Sequence, residues 1–188
     1  MKKIAIFASG TGSNFEAVAK ACQNGTIHAK VSLLVCDKPE ALVISKAKSL
    51  NVEAFVLSVK DFKNKEAYEE AILAQLQKYK VELVVLAGYM RLIGQTLLEA
   101  YPDNIVNIHP SFLPEFPGVN SIKRAFESGV KETGITVHYV DSGIDTGPII
   151  AQRVVAIDES DTLESLEEKM HRVEHQLYVE VLKELCEK

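Results

Sequence analysis

Cysteine is scarce and unpaired in this chain: Cys22, Cys36 and Cys186 are odd in number and widely spaced, with no CxxC among them. A disulfide framework or a thiolate zinc site needs paired or clustered cysteines, so neither is expected, and a reducing cytoplasm is the compartment that fits. Long basic runs are missing too. No more than two Lys or Arg stand together, and acidic residues outnumber basic ones by 26 to 21, for a net charge of -5. No nucleic acid and no membrane surface is therefore expected as a partner, and an anionic ligand must be caught by a local site. No apolar run approaches the about 18 residues that a membrane span requires. The stretch from Ile4 to Ala8 is too short for the core of a signal peptide, so export is not expected. Ten glycines and six prolines are too few for a disordered or fibrous chain.

What is present is ordinary globular material: 188 residues, 47% apolar and 25% charged, enough for one domain spanning 1–188. Short apolar runs alternate with amphipathic ones through the first half: KIAIFA, NFEAVAKACQNG, KVSLLVCD, PEALVISKAKSLN, VEAFVLS, NKEAYEEAILAQLQKYK and VELVVLAG. Runs such as Leu83 to Ala87 do not alternate with polar residues, as strands covered on both faces must not. This pattern predicts a single doubly wound, mainly parallel α/β sheet of the Rossmann-like kind. In the second half, NIVNIH reads as a fifth strand and NSIKRAFESG as a short helix ending at Gly129. ETGITVHYV and GPIIAQRVVAI, joined by DSGIDTG, read as an antiparallel edge pair. Thr162 to Cys186 reads as one long C-terminal helix.

The first loop, ASGTGSNF, joins a strand to a helix. Gly10 and Gly12 permit tight turning, Ser13 or Asn14 can cap the helix, and free amides at a helix start attract an anion. Phe15 occupies the third position of a would-be dinucleotide fingerprint and would obstruct its close helix–sheet packing, so a phosphomonoester suits the loop better. Asp37, ending the second strand, keeps a nicotinamide reading alive as a candidate ribose-binding acid, and the glycines alone are also compatible with simple chain turning.

The fifth strand carries the sharper signal. Alternation puts Asn107 and His109 on one side and Val106 and Ile108 on the other. Pro110 then ends the strand at the carboxyl edge where doubly wound sheets bind ligands, and Pro114 and Pro117 stiffen the covering loop. A histidine beside a neutral amide donor suits acyl-group transfer. The hairpin turn offers Asp141 and Asp145 as carboxylates, with Asp145 the candidate to support imidazolium, and Gly143 and Gly147 allow close backbone approach to a ligand.

NIHPSFLPEFPG, with ASGTGSN, LAGYMRLI and GITVHYVDSGIDTGPII in that order, closely resembles the folate-dependent phosphoribosylglycinamide formyltransferases, over nearly the full length of the chain. The HPS-x-LP core is similar to that of the wider formyltransferase group. Related methionyl-tRNA formyltransferases carry a further C-terminal domain and formyltetrahydrofolate hydrolases a further N-terminal one, and this chain has room for neither. The resemblance implies formyl transfer from 10-formyltetrahydrofolate, the cosubstrate, to glycinamide ribonucleotide in purine biosynthesis, with no metal; hydrolysis of the same folate is the alternative. It makes His109 the general acid, Asn107 a stabiliser of the tetrahedral species and Asp145 the carboxylate that supports the histidine. Gly12, Ser13, Asn14, Pro110 and Glu174 correspond to the ribonucleotide site. Lys65, Met90, Arg91, Leu92, Ile93 and Asn107, with Val140, Asp141, Ser142, Gly143 and Ile144, correspond to the folate site. Residues 1–100 would then form a phosphate-binding half and 101–188 a catalytic and folate-binding half. Lys65 stands where better-known members carry Arg, which loosens carboxylate recognition because Lys lacks the bidentate fork. His171 stands where a familiar bacterial member has Gln. The partners implied are small molecules, and monomer or homodimer stays open.

HRVEH, residues 171–175, also matches the inverted zinc-peptidase pattern. A third ligand would have to come from Glu180, Glu184 or Glu187, with Glu180 the plausible one though poorly directed, so the pattern is read instead as His175 packing on the sheet and His171 facing solvent or substrate.

Overall fold

The first strand shows why its apolar run does not alternate with polar residues. In the computed structural model, which describes residues 1–188, β1 (Lys2–Ala8) lies inside the sheet. Ile4, Ile6 and Ala8 enter one core layer, Ala5 and Phe7 enter the other, and all five are fully buried. Each face is covered by helices, so both sets of side chains must be apolar.

The strands β2 (Ala29–Cys36), β3 (Ala54–Val56), β4 (Leu83–Leu86), β5 (Ile105–His109), β6 (Glu132–Tyr139) and β7 (Ile149–Ala156) complete one seven-stranded sheet of order β3-β2-β1-β4-β5-β6-β7. From β3 to β5 every pairing is parallel. The helices are α1 (Ser13–Gln23), α2 (Leu42–Ser49), α3 (Lys65–Lys78), α4 (Gln95–Ala100), α5 (Ser121–Ser128) and α6 (Leu163–Cys186). α1 and α6 pack in the layer of Ile4 and Ile6; α3 and α4 pack in the layer of Phe7. Phe15 of α1 is fully buried under its helix, where truncation to Ala would cost about 3–5 kcal/mol.

The strand order reverses between β1 and β4, so the loops leaving their carboxyl ends diverge and open a crevice there. The antiparallel part is larger than an edge pair. β5 also pairs antiparallel with β6, leaving only β7 at the edge. The reason is that the proline loop and α5 return the chain to the same end of the sheet that β5 left.

α6 begins with a reciprocal cap: Thr162 Oγ1 accepts from Ser165 N at 3.1 Å and Ser165 Oγ accepts from Thr162 N at 2.9 Å. Its buried Tyr178 donates to the Leu86 carbonyl at 2.7 Å, tying the helix beneath the ends of β4 and β5. The three cysteines are free and buried, and burial pushes the Cys22 thiol up to about 12. No helix is long and apolar enough to cross a membrane.

Candidate active site

A cavity of about 790 Å³ opens above the crevice, lined by the loops after β1, β4, β5 and β6 and by one face of α6. Asn107 and His109 form part of its wall, as alternation on β5 requires. The register of β6 adds two residues to the same face, placing His138 opposite Asn107 and Thr136 opposite His109.

His109 is held by its backbone surroundings. Its Nε2 lies 2.9 Å from the Phe116 carbonyl and 3.1 Å from Ser121 Oγ; a carbonyl only accepts, so Nε2 carries the proton. Its Nδ1 then faces Asp145 Oδ2 at 3.5 Å. Asp145 serves two rings, because His138 Nε2 stands 3.7 Å from its other oxygen. Burial works to raise the Asp145 carboxyl, but the His138 ring, the Gly118 N–H and the charge of His109 outweigh it and hold the group below the usual carboxylate range. His138 Nδ1 lies 2.8 Å from the Tyr139 carbonyl, and its Nε2 stands 3.3 Å from Asn107 Nδ2.

The covering loop is braced from below. Thr136 Oγ1 donates to the Ser111 carbonyl at 2.7 Å and accepts from Leu113 N at 3.1 Å, while Gln152 Nε2 donates to the Leu113 carbonyl at 2.9 Å. Gly118 N donates to Asp145 Oδ2 at 2.8 Å, so the end of the proline loop and the hairpin turn lock together over His109.

One end of the cavity is the start of α1. Neither Ser13 nor Asn14 caps this helix: the cap is Gly12, at φ 78, with no side-chain bond. A Cβ on Gly12 would stand 2.5 Å from Val43 Cγ2, so both conformation and space demand glycine. The first-turn amides thus have no side-chain acceptor, and the buried Asn14 Oδ1 has no partner either. An anion at this end meets open donors and the positive end of the helix dipole. Glu174 is buried beside it and takes a 2.8 Å bond from His171 Nδ1, which raises the His171 pKa above its ordinary 6.5.

The other end is apolar and made of loops: Met90, Leu92 and Ile144 are exposed on it, with Ile93 and Val140 beneath. Gly94 N donates to the buried Glu69 carboxylate at 2.7 Å, anchoring the far side of the 88–93 segment. In the hairpin turn, Asp141 Oδ1 accepts from Thr146 Oγ1 at 2.6 Å and from Gly143 N at 2.9 Å, and these bonds lower the Asp141 pKa. Both turn glycines are required by their own chain. A Cβ on Gly147 would fall 1.8 Å from the Tyr139 carbonyl oxygen, and one on Gly143 would fall 2.1 Å from Thr146 Oγ1.

Of the catalytic, ribonucleotide and folate residues that the resemblance implies, all but two line this one cavity. Lys65 stands at the start of α3 with its Cε beside Gly94, and Ser142 lies on the hairpin turn; neither is among the lining residues. Asp37 is not available to a ribose, because it is buried and bonded to Ser9 and Arg91. Glu180 pairs with Arg153 at 2.6 Å rather than with the histidines of α6. His175 is half-buried, with the charges of Glu174, Lys46 and Glu16 acting on it; its Nε2 is buried without a partner, and burial lowers its pKa. Sequence reasoning missed His138. Its signal was the i, i+2 spacing of Thr136 and His138, the same as that of Asn107 and His109, on a strand that pairs with theirs.

A doubly wound sheet with an anion-binding helix end, an apolar loop pocket and a His–Asn–Asp group between them defines a two-substrate group-transfer enzyme. Residues 2–182 match the formyl transferase family, and the chain belongs to it. It is 55% identical to phosphoribosylglycinamide formyltransferase of Bacillus subtilis over 185 residues, 98% of this chain and 95% of that one. It is 38% identical to the enzyme of the same name from Haemophilus influenzae, over 97% of this chain and 86% of the relative. Among solved structures it superposes on glycinamide ribonucleotide transformylase 1 of Geobacillus kaustophilus with a TM-score of 0.96 at 55% identity, covering 99% of each chain.

Proposed function

We propose that this chain transfers the formyl group of 10-formyltetrahydrofolate to the amine of 5'-phosphoribosylglycinamide, giving formylglycinamide ribonucleotide and tetrahydrofolate, a step of de novo purine synthesis in the cytoplasm. The observation that carries the reading is the cavity's division into an anion-binding end and an apolar end, with Asn107, His109 and Asp145 between them. Ser13, Asn14 and Gly12 receive the phosphate, and Glu174 and Pro110 face the rest of the ribonucleotide. Met90 to Ile93 and Val140 to Ile144 take the folate, with Lys65 at the rim toward its tail. Labour does not split at residue 100, since Glu174 and the 90–93 segment each serve the substrate assigned to the other half.

The amine nitrogen attacks the formyl carbon, and the carbonyl oxygen becomes an oxyanion that accepts from Asn107 Nδ2 and is balanced by the charge of protonated His109. Collapse breaks the bond to folate N10, which takes up a proton while the attacking amine gives one up. Asp145 balances the positive imidazole during this step, and His138 keeps both Asp145 and Asn107 oriented. Holding both substrates makes the attack effectively intramolecular.

Tetrahydrofolate release from 10-formyltetrahydrofolate, followed with and without glycinamide ribonucleotide, tests the reading. Release that requires the ribonucleotide is expected; equal release without it would establish hydrolysis instead.

A further inference from the structure

Asp37 directly follows β2, outside the cavity lining, with a side chain only 1% exposed. A buried carboxylate is costly unless its oxygens are satisfied. Here Oδ1 accepts from Ser9 Oγ at 2.6 Å and Oδ2 accepts from Arg91 Nε at 2.9 Å. The same Ser9 hydroxyl accepts from Met90 N at 2.9 Å, and Ser9 N donates to the Gly88 carbonyl at 3.1 Å. One acid from β2 and one hydroxyl at the end of β1 thus hold consecutive residues of the segment that follows β4. The Arg91 guanidinium lies 6.0 Å above the Tyr68 ring, whose hydroxyl meets that of Tyr89 at 2.7 Å. Asp37 engages Nε alone, and Arg91 itself lines the cavity, 40% exposed.

We propose that Asp37 is a positioning residue for the formyl donor: through Ser9 and Arg91 it fixes the 88–91 backbone before the folate arrives, and so sets folate affinity without touching the ribonucleotide end. The inference rests on the reading of Met90 to Ile93 as folate-binding. Ordering one long side chain on binding costs about twofold to tenfold in affinity, and the clamp removes that cost in advance.

Calorimetric titration with tetrahydrofolate and, separately, with glycinamide ribonucleotide tests it. Asp37→Asn keeps an acceptor for Ser9 but turns an N–H toward Arg91; tetrahydrofolate binding should weaken about tenfold while ribonucleotide binding stays unchanged. Arg91→Met should weaken tetrahydrofolate binding as well, and adding Asp37→Asn to it should weaken binding less than about twofold further, because the shared contact is already gone. Ser9→Ala, which frees Met90 N but leaves the Asp37–Arg91 pair, should weaken tetrahydrofolate binding about threefold. Equal tetrahydrofolate affinity in wild type and Asp37→Asn overturns the clamp alone. So does an equal loss for both ligands accompanied by a lower Tm, the mark of a general structural role. A wild-type protein that does not bind tetrahydrofolate overturns the folate reading, and the clamp with it.

Discussion

The two ends of the cavity are built by different means. At the end proposed for the ribonucleotide, regular structure forms the wall: backbone amides of α1, a glycine cap, and one acid from the face of α6. At the end proposed for the folate the walls are loops, and each is tied to the sheet or to itself by side chains, among them Asp37 with Ser9, Glu69 with Gly94, and Asp141 with Thr146. A helix end is preorganised by its own hydrogen bonds, whereas a loop needs anchors. Asn107 and His109, proposed as reacting groups, sit between the two on β5, where its register with β6 fixes them.

If that division holds, damage to the middle should cost most. Asn107→Ala removes an oxyanion donor and should lower kcat about 100-fold to 1000-fold with little change in either KM. A near-normal kcat in steady-state kinetics would take Asn107 out of the chemistry. Next comes the helix end: Gly12→Ala forces a Cβ toward Val43 in a left-handed conformation and should cost about 1–3 kcal/mol of stability. Its ribonucleotide KM should rise while the folate KM does not; denaturant unfolding and separate KM measurements check both, and a matched rise in the two KM values would erase the distinction between the ends.

Asp145 gives a smaller, pH-dependent effect. Its folded pKa lies below the ordinary 3.8. The stability it contributes is therefore complete above that value and is lost as pH falls through the depressed one. Asp145→Asn should flatten the acid side of a plot of Tm against pH, and an unchanged acid limb would count against the coupling to His109 and His138. His171 runs the other way. Its folded pKa is raised by the bond to Glu174, so that interaction is complete below pH 6.5 and fades as pH rises through the raised value. Ribonucleotide KM should climb a few-fold toward alkaline pH, and His171→Gln should remove the climb; half exposure keeps the effect small. A folate KM that moved in parallel would again blur the two ends.

Much of this was legible in the sequence because it depends on local periodicity. Alternation on NIVNIH placed Asn107 and His109 together, and the apolar runs gave the parallel sheet. What was not legible depends on partners distant in the chain. Asp37 at a strand end looks the same whether it awaits a ribose or is spent on Arg91, and only the path of the 88–93 loop decides. His138 reaches the site through the β5–β6 register, which no local pattern fixes. Gly147 reads as a ligand-facing glycine until the Tyr139 carbonyl is seen against it. Ser13 and Asn14 look like helix caps, yet Gly12 caps instead, leaving the amides open.

The most direct test of the whole account follows the formyl carbon itself. With an isotopically labelled formyl group on 10-formyltetrahydrofolate and glycinamide ribonucleotide present, the label should appear in an N-formyl amide on the ribonucleotide, as seen by NMR or mass spectrometry of the products. Label recovered as free formate, with the ribonucleotide unmodified, would contradict it.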